Sequence, residues 1–278
     1  MALSQADFKY VRDLVFQKSA IVLEDSKTYL VEARLQPIAR RLGLASLSEL
    51  VTQLRACSKS GLDWSVVEAM TTNETYFFRD VHPFEALKKF VLPELIKRRA
   101  APRELSLWCA AASSGQEPYT ILMLLLENFP SLAAWRINFL ATDISKEMLD
   151  RCREGCYSQL EVNRGLPAPL LVKYFRKIGT EWQIKEDLRR MIHFSELNLA
   201  QPWPSMAQMD MIFMRNVLIY FNAETKKAIF ARLRKILRHD GYLFLGGAET
   251  TMGIDDSFHR IALEKGSYYK LAIDRSAP

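Results

Sequence analysis

From Glu104 onward the chain alternates between two periodicities, and this restricts the possible folds more than any other feature. Apolar runs at residues 105–110, 137–142, 191–194, 211–214 and 242–245 are separated by stretches with helical spacing at 118–128, 146–154 and 223–237. Strands that alternate with helices pair in parallel, because each helix carries the chain back across the sheet. The opening residues follow another pattern. Apolar positions recur every three or four residues over 7–16, 26–42 and 46–56, with no β-branched run. The expectation is a small all-helical N-terminal domain over residues 1–70, a linker over 71–103, and an α/β domain over 104–278. Residues 155–190 are too long for a simple crossover. A helical patch at 170–175 and alternation at 182–184, with turn residues Gly179 and Thr180, predict an inserted β hairpin. Residues 267–273 alternate like an edge strand paired antiparallel to a neighbour.

Composition excludes several classes. The longest aliphatic run, 121–126, has six residues, where a membrane span needs about 20. The first ten residues hold no apolar signal core, so a cytoplasmic protein without membrane insertion is expected. Cys57, Cys109, Cys152 and Cys156 form no C-x-x-C pair and have no histidine at metal-ligand spacing, so no metal site is expected. Cys152 and Cys156 are spaced to share a helix face. Net charge is +6, and Lys226, Lys227, Arg232, Arg234, Lys235 and Arg238 cluster without an acid, which predicts an amphipathic helix with a solvated basic face. Arg34, Arg40 and Arg41 form a second basic group.

Two positions suggest a ligand. The first strand runs into Ala110-Ala111-Ala112-Ser113-Ser114-Gly115-Gln116-Glu117-Pro118, whose small side chains let a ligand approach the backbone at the carboxyl edge of the sheet. This loop lacks G-x-G-x-x-G, and Glu117 in the first helical turn repels phosphate while favouring a cationic amine. The second strand ends in Asp143, a residue that can accept both hydroxyls of a ribose or cap the following helix. A ribose joined to an amine suggests S-adenosylmethionine. Polar residues interrupt apolar surroundings at Asn73 to Asp80 and at Arg215-Asn216. Buried charge requires partners, so Arg79 and Arg215 can also be read as interdomain salt bridges and Asn73 as a helix cap.

Six ordered motifs resemble one family. Thr71-Thr72-Asn73-Glu74-Thr75-Tyr76-Phe77-Phe78-Arg79-Asp80, the small-residue loop through Tyr119, Ala141-Thr142-Asp143-Ile144, Asn198-Leu199, Arg215-Asn216-Val217-Leu218-Ile219-Tyr220-Phe221 and Gly241-Tyr242-Leu243-Phe244-Leu245-Gly246 are similar to successive motifs of the CheR chemoreceptor methyltransferases. The resemblance implies a Rossmann-like S-adenosylmethionine-dependent sheet. It also implies methyl transfer to glutamates on the cytoplasmic helices of chemoreceptors, with S-adenosylhomocysteine as product. The implied cofactor contacts are Asn73, Thr75, Arg79, Glu117, Asp143, Asn198, Leu199, Arg215 and Asn216. Arg79 and Tyr220 would orient the glutamate, and Arg34, Arg40 and Arg41 would dock the receptor. Gln116 and Gly247-Ala248-Glu249 depart from the usual second Glu and His-Ser-Glu. The short turn Arg176-Lys177-Ile178-Gly179-Thr180 predicts independence from a receptor C-terminal pentapeptide tether. A monomer that binds no nucleic acid is expected. The alternatives are a nucleic-acid methyltransferase, favoured by the basic helix, and a non-catalytic adaptor that senses the cofactor.

Overall fold

The computed structural model describes residues 3–56 and 61–272, so Cys57 and residue 273, the last of the 267–273 reading, lie outside the described residues. The chain forms two compact units. The first holds α1 (Gln5–Ser19), α2 (Thr28–Arg41), α3 (Leu47–Ala56) and α4 (Leu62–Met70). Ser4 caps α1 by accepting from the Asp7 N–H at 3.1 Å, and Ala20 closes it in a left-handed conformation. Val11, Val15, Val31, Leu35, Leu50, Val51, Val66 and Val67 are fully buried, each contributing roughly 1.5–3 kcal/mol of transfer free energy. The sequence reading had three helices here. The fourth, α4, buries Val66, Val67 and Met70 at helical spacing but runs directly into the linker, so its periodicity was masked. Two later strips of chain, Asn198–Pro202 and Tyr220–Lys226, also belong to this unit.

In the second unit, α5 (His82–Ala86), a π turn (Leu87–Val91) and α6 (Leu92–Arg98) precede the sheet. There follow β1 (Glu104–Ala110), α7 (Gln116–Asn128), β2 (Arg136–Asp143) and α8 (Lys146–Glu154). The insertion comprises β3 (Cys156–Ser158), α9 (Gln159–Asn163), α10 (Ala168–Tyr174), β4 (Phe175–Ile178) and β5 (Glu181–Ile184). The chain resumes with α11 (Glu186–Arg189), β6 (Ile192–Glu196), β7 (Met209–Met214), α12 (Ala223–Ile236), β8 (Leu237–Leu245), β9 (Phe258–Ala262) and β10 (Ser267–Leu271).

The main sheet has the order β6-β2-β1-β7-β8-β10-β9, parallel from β6 to β8 and antiparallel beyond it. From β1 the chain first builds outward through β2 and β6, then crosses to β7 on the other side. That reversal makes the carboxyl ends of β1 and β7 the place where an open sheet binds ligands. The register sets Ala110 beside Thr142 and Met214 there.

The insertion holds the expected hairpin, β4–β5 turning at Gly179 and Thr180, and adds β3 to make a three-stranded antiparallel sheet, β3-β5-β4. β3 escaped notice because it is three residues long and follows α8 immediately. Cys152 and Cys156 do not share a helix face, because Gly155 ends α8 in the left-handed region (φ 62°) and Cys156 begins β3. β10 is not the edge strand, since β9 covers it; only Phe258 of β9 is buried, which left no alternation to read. The basic face of α12 is exposed at Lys227, Arg234 and Lys235, as expected, with Arg234 donating to Ser257 at 2.8 Å and Arg232 lying over the Trp203 ring. Arg238 lies beyond the helix, in β8, and pairs with Asp210 at 3.3 Å. Among the described residues no helix is long and apolar enough to cross a membrane, and no group of His, Cys, Asp or Glu could hold a metal ion.

Candidate active site

The loop leaving β1 is strained where it is small. Ala111, Ser113 and Gly115 all have positive φ (54°, 50° and 95°), a conformation that costs a non-glycine residue about 1–2 kcal/mol. Hydrogen bonds hold it: Ala112 N–H donates to Thr142 O at 2.9 Å, the Tyr157 hydroxyl to Ser114 O at 2.8 Å and the Ser113 hydroxyl to Asn73 O at 2.9 Å. A Cβ on Gly115 would lie 3.0 Å from both Cys152 Sγ and the Tyr157 hydroxyl oxygen.

Asp143 is buried at the end of β2, and its two oxygens accept from Ser113 N–H (2.8 Å) and Ser145 N–H (2.9 Å). It ties the two strand-end loops together and does not cap α8. Ser145 does that by accepting from the Met148 N–H at 3.3 Å.

Glu117 and Arg215 meet directly. The Arg215 side chain is 1% exposed and Glu117 13%, and the pair forms an ion pair joined by Asp80 at 2.8 Å from Arg215. Arg215 also donates to the Arg79 carbonyl at 2.9 Å. Burial works against the guanidinium's charge, but Glu117 and Asp80 outweigh it and raise its pKa above the ordinary value. Its Nε is buried without an acceptor among the described residues. The Cys109 thiol donates to the other Glu117 oxygen at 3.4 Å; burial, and then the charge of Glu117, push it well up, so it stays a thiol. The salt bridge of Arg215 is therefore internal to the second unit. Asp80, its third member, was quoted in a motif but given no role by the sequence reading, because nothing along the chain links it to residue 215.

Arg79 is half-buried, donates to Glu74 O at 2.7 Å and lies over the Tyr76 ring, with no carboxylate at ion-pair distance among the described residues. Its segment is clamped by the insertion. Phe77 is fully buried with its ring edge-on to Tyr157 (5.1 Å) and Phe175 (5.8 Å), while Arg164 pairs with Glu74 at 2.6 Å. Gly165, at φ 93°, comes so close that a Cβ would lie 2.0 Å from Phe77 O. Neither Arg164 nor Gly165 carried a signal readable without the fold. Asn73 precedes no helix start and so is not a cap; it and Thr75 are half-buried in the same segment. Asn216, at φ 58°, follows Arg215 directly.

The remaining expected residues lie in the first unit. Asn198 Nδ2 donates to Lys18 O at 2.7 Å, Leu199 is buried, and the Tyr220 carbonyl accepts from Val22 N–H at 3.0 Å. Arg34 has a structural task, donating to Met70 O (2.7 Å), Thr71 O (2.9 Å) and Thr72 Oγ1 (3.0 Å) at the end of α4. Arg40 and Arg41 are exposed in the last turn of α2.

The donor set fits S-adenosylmethionine. A carboxylate beside guanidinium donors matches the zwitterionic amino-acid end, a second carboxylate matches a ribose, and the small-residue loop admits both. Fold and site together define a Rossmann-like S-adenosylmethionine-dependent methyltransferase. Residues 73–267 match the family described as CheR methyltransferase, SAM binding domain, and residues 6–70 match CheR methyltransferase, all-alpha domain. The chain belongs to the CheR methyltransferase family. It is 41% identical over 275 residues to Chemotaxis protein methyltransferase 1 of Pseudomonas aeruginosa, covering 97% of this chain and 99% of that one. It is 39% identical over 274 residues to Chemotaxis protein methyltransferase Cher2 of Pseudomonas putida, with coverage of 97% and 99%. A Vibrio parahaemolyticus chemotaxis protein methyltransferase is 38% identical over 275 residues, with 98% of each chain covered.

Proposed function

We propose that this protein transfers a methyl group to glutamate side chains on the cytoplasmic helices of chemoreceptors, forming methyl esters. The observation that carries the reading is Arg79, a half-buried guanidinium fixed by Glu74 O and Tyr76, with no carboxylate at ion-pair distance among the described residues. The names of the relatives, all chemotaxis methyltransferases, support the choice of receptor.

When bound, S-adenosylmethionine supplies a methyl group activated by a sulfonium. Glu117 takes the ammonium in place of the weak Cys109 donor, Arg215 and Asn216 meet the carboxylate end, and Asp143 accepts from the ribose. Asn73 and Thr75 close over the methionyl side. Asn198 and Leu199 at the adenine, and the Tyr220 hydroxyl as a donor to the substrate, rest on the resemblance alone. A glutamate of ordinary pKa (about 4.3) is ionised at neutral pH, so no residue need act as general base. Arg79 draws that carboxylate in and orients it, and alignment supplies most of the rate. Arg40 and Arg41 steer an acidic receptor bundle. The β4–β5 turn consists of Gly179 and Thr180 alone, so no loop extension is present to grip a tether, and methylation proceeds without one.

Radiolabelled methyl transfer to receptor cytoplasmic fragments, followed by alkaline release of volatile methanol, tests the reading. Base-stable label, label on nucleic acid, or binding without transfer would overturn it. Calorimetry showing micromolar binding of a receptor C-terminal pentapeptide would overturn the tether statement.

A further inference from the structure

Glu249, in the turn after β8, is 8% exposed and spends its whole carboxylate on the main chain. One oxygen accepts from Gly246 N–H at 2.6 Å and Asn216 N–H at 2.8 Å; the other accepts from Val217 N–H at 2.8 Å and Leu218 N–H at 2.7 Å. Three consecutive N–H groups converging on one anion make the same concavity that binds free anions elsewhere; here the chain fills it with its own side chain. The turn so held is not one the backbone adopts freely. Asn216 is left-handed at φ 58°, and a Cβ on Gly246 would lie 2.7 Å from Asn216 Nδ2 and from Glu249 Oε2.

We propose that Glu249 is a positioning residue of the methyl-donor site. By fixing Asn216, Val217 and Leu218 it sets the direction in which the Arg215 side chain leaves β7 to meet Glu117 and Asp80, and the direction of the Asn216 side chain. The inference rests on the reading of Arg215, Asn216 and Glu117 as the cofactor site. A Gln at this position has the same size, but its amide nitrogen turns hydrogens toward two of the four donors. Two buried N–H groups then lose their acceptor, and the turn must open.

The test is titration calorimetry of the full chain with S-adenosylhomocysteine, alongside steady-state kinetics in S-adenosylmethionine. Glu249→Gln is expected to weaken binding at least tenfold and to raise KM for S-adenosylmethionine by the same factor, with kcat at saturation changed less than threefold. Glu249→Asp keeps the charge and is expected to recover part of the affinity. Asp240→Asn removes a partly buried partner of Arg99 in the first half of β8; it is expected to lower Tm while leaving the affinity unchanged. Binding of folded Glu249→Gln within twofold of wild type overturns the proposal, as does an equal affinity loss in Asp240→Asn. If Glu249→Gln fails to fold, Glu249→Asp decides by the same twofold criterion. Wild-type protein that does not bind S-adenosylhomocysteine would instead overturn the site assignment, and the inference with it.

Discussion

Arg215 and Glu117, 98 residues apart in the chain, form an ion pair in which the arginine is almost wholly buried and Asp80 supplies the second carboxylate. Removing one member of such a set leaves a buried charge short of its counter-charge, which costs more than the pair itself contributes.

Glu117→Gln is therefore expected to weaken S-adenosylhomocysteine binding by about 10- to 100-fold, the equivalent of one charge-assisted hydrogen bond of roughly 1.5–3 kcal/mol. Calorimetry measures it. Unchanged affinity would remove Glu117 from the cofactor site.

Arg79 separates substrate from cofactor. Arg79→Ala is expected to lower kcat/KM for a receptor fragment by about 100-fold, the loss of an orienting contact, while S-adenosylhomocysteine affinity moves by less than about threefold. Equal losses in both measurements would refute the role assigned to it.

The Gly165 position admits no side chain. Gly165→Ala places a Cβ against Phe77 O and strains a φ of 93°. We expect a loss of about 3 kcal/mol or more in urea unfolding, together with weaker cofactor binding, because the Asn73–Arg79 segment shifts with Phe77.

Acid should weaken the helical unit through Asp63. Its hydrogen bond to Lys18 holds the carboxyl below its ordinary value, against a smaller opposing effect of burial. A depressed carboxyl contributes stability that is fully present above the unfolded pKa of about 3.9 and is lost as pH falls through the folded value. Asp63→Asn is expected to cost about 2 kcal/mol at neutral pH and to flatten the decline below pH 4. Unfolding curves from pH 2 to 7 for both proteins would show whether that difference closes.

Docking by Arg40 and Arg41 has an ionic-strength signature. Replacing both by Glu is expected to cut kcat/KM for receptor fragments about tenfold at low salt, with the gap narrowing as salt rises and cofactor affinity unchanged. Methylation rates across a salt series would decide it.

Strand positions were legible where a strand carries an uninterrupted apolar run, as at 107–110, 211–214 and 242–245. The miss at the start of β7 has a physical reason: Asp210 interrupts the run, yet it is buried at 1% and accepts from Ser106 N–H (2.8 Å) and Arg99 Nε (2.7 Å). Glu117, Asp143 and Arg215 could be singled out because they stand at strand ends or in a first helical turn. Asp80, Arg164, Gly165 and Glu249 could not, because each acts through residues distant in sequence, and a contact of that kind leaves no periodicity behind.

The strips Asn198–Pro202 and Tyr220–Lys226, counted with the four amino-terminal helices, mean that the polypeptide threads out of that unit at Thr72 and revisits it twice. Severing the backbone after Thr72 would not release a self-sufficient helical module, since the pieces completing it would stay on the other fragment. Exchanging the first 72 residues between relatives should succeed only when those two strips travel with them.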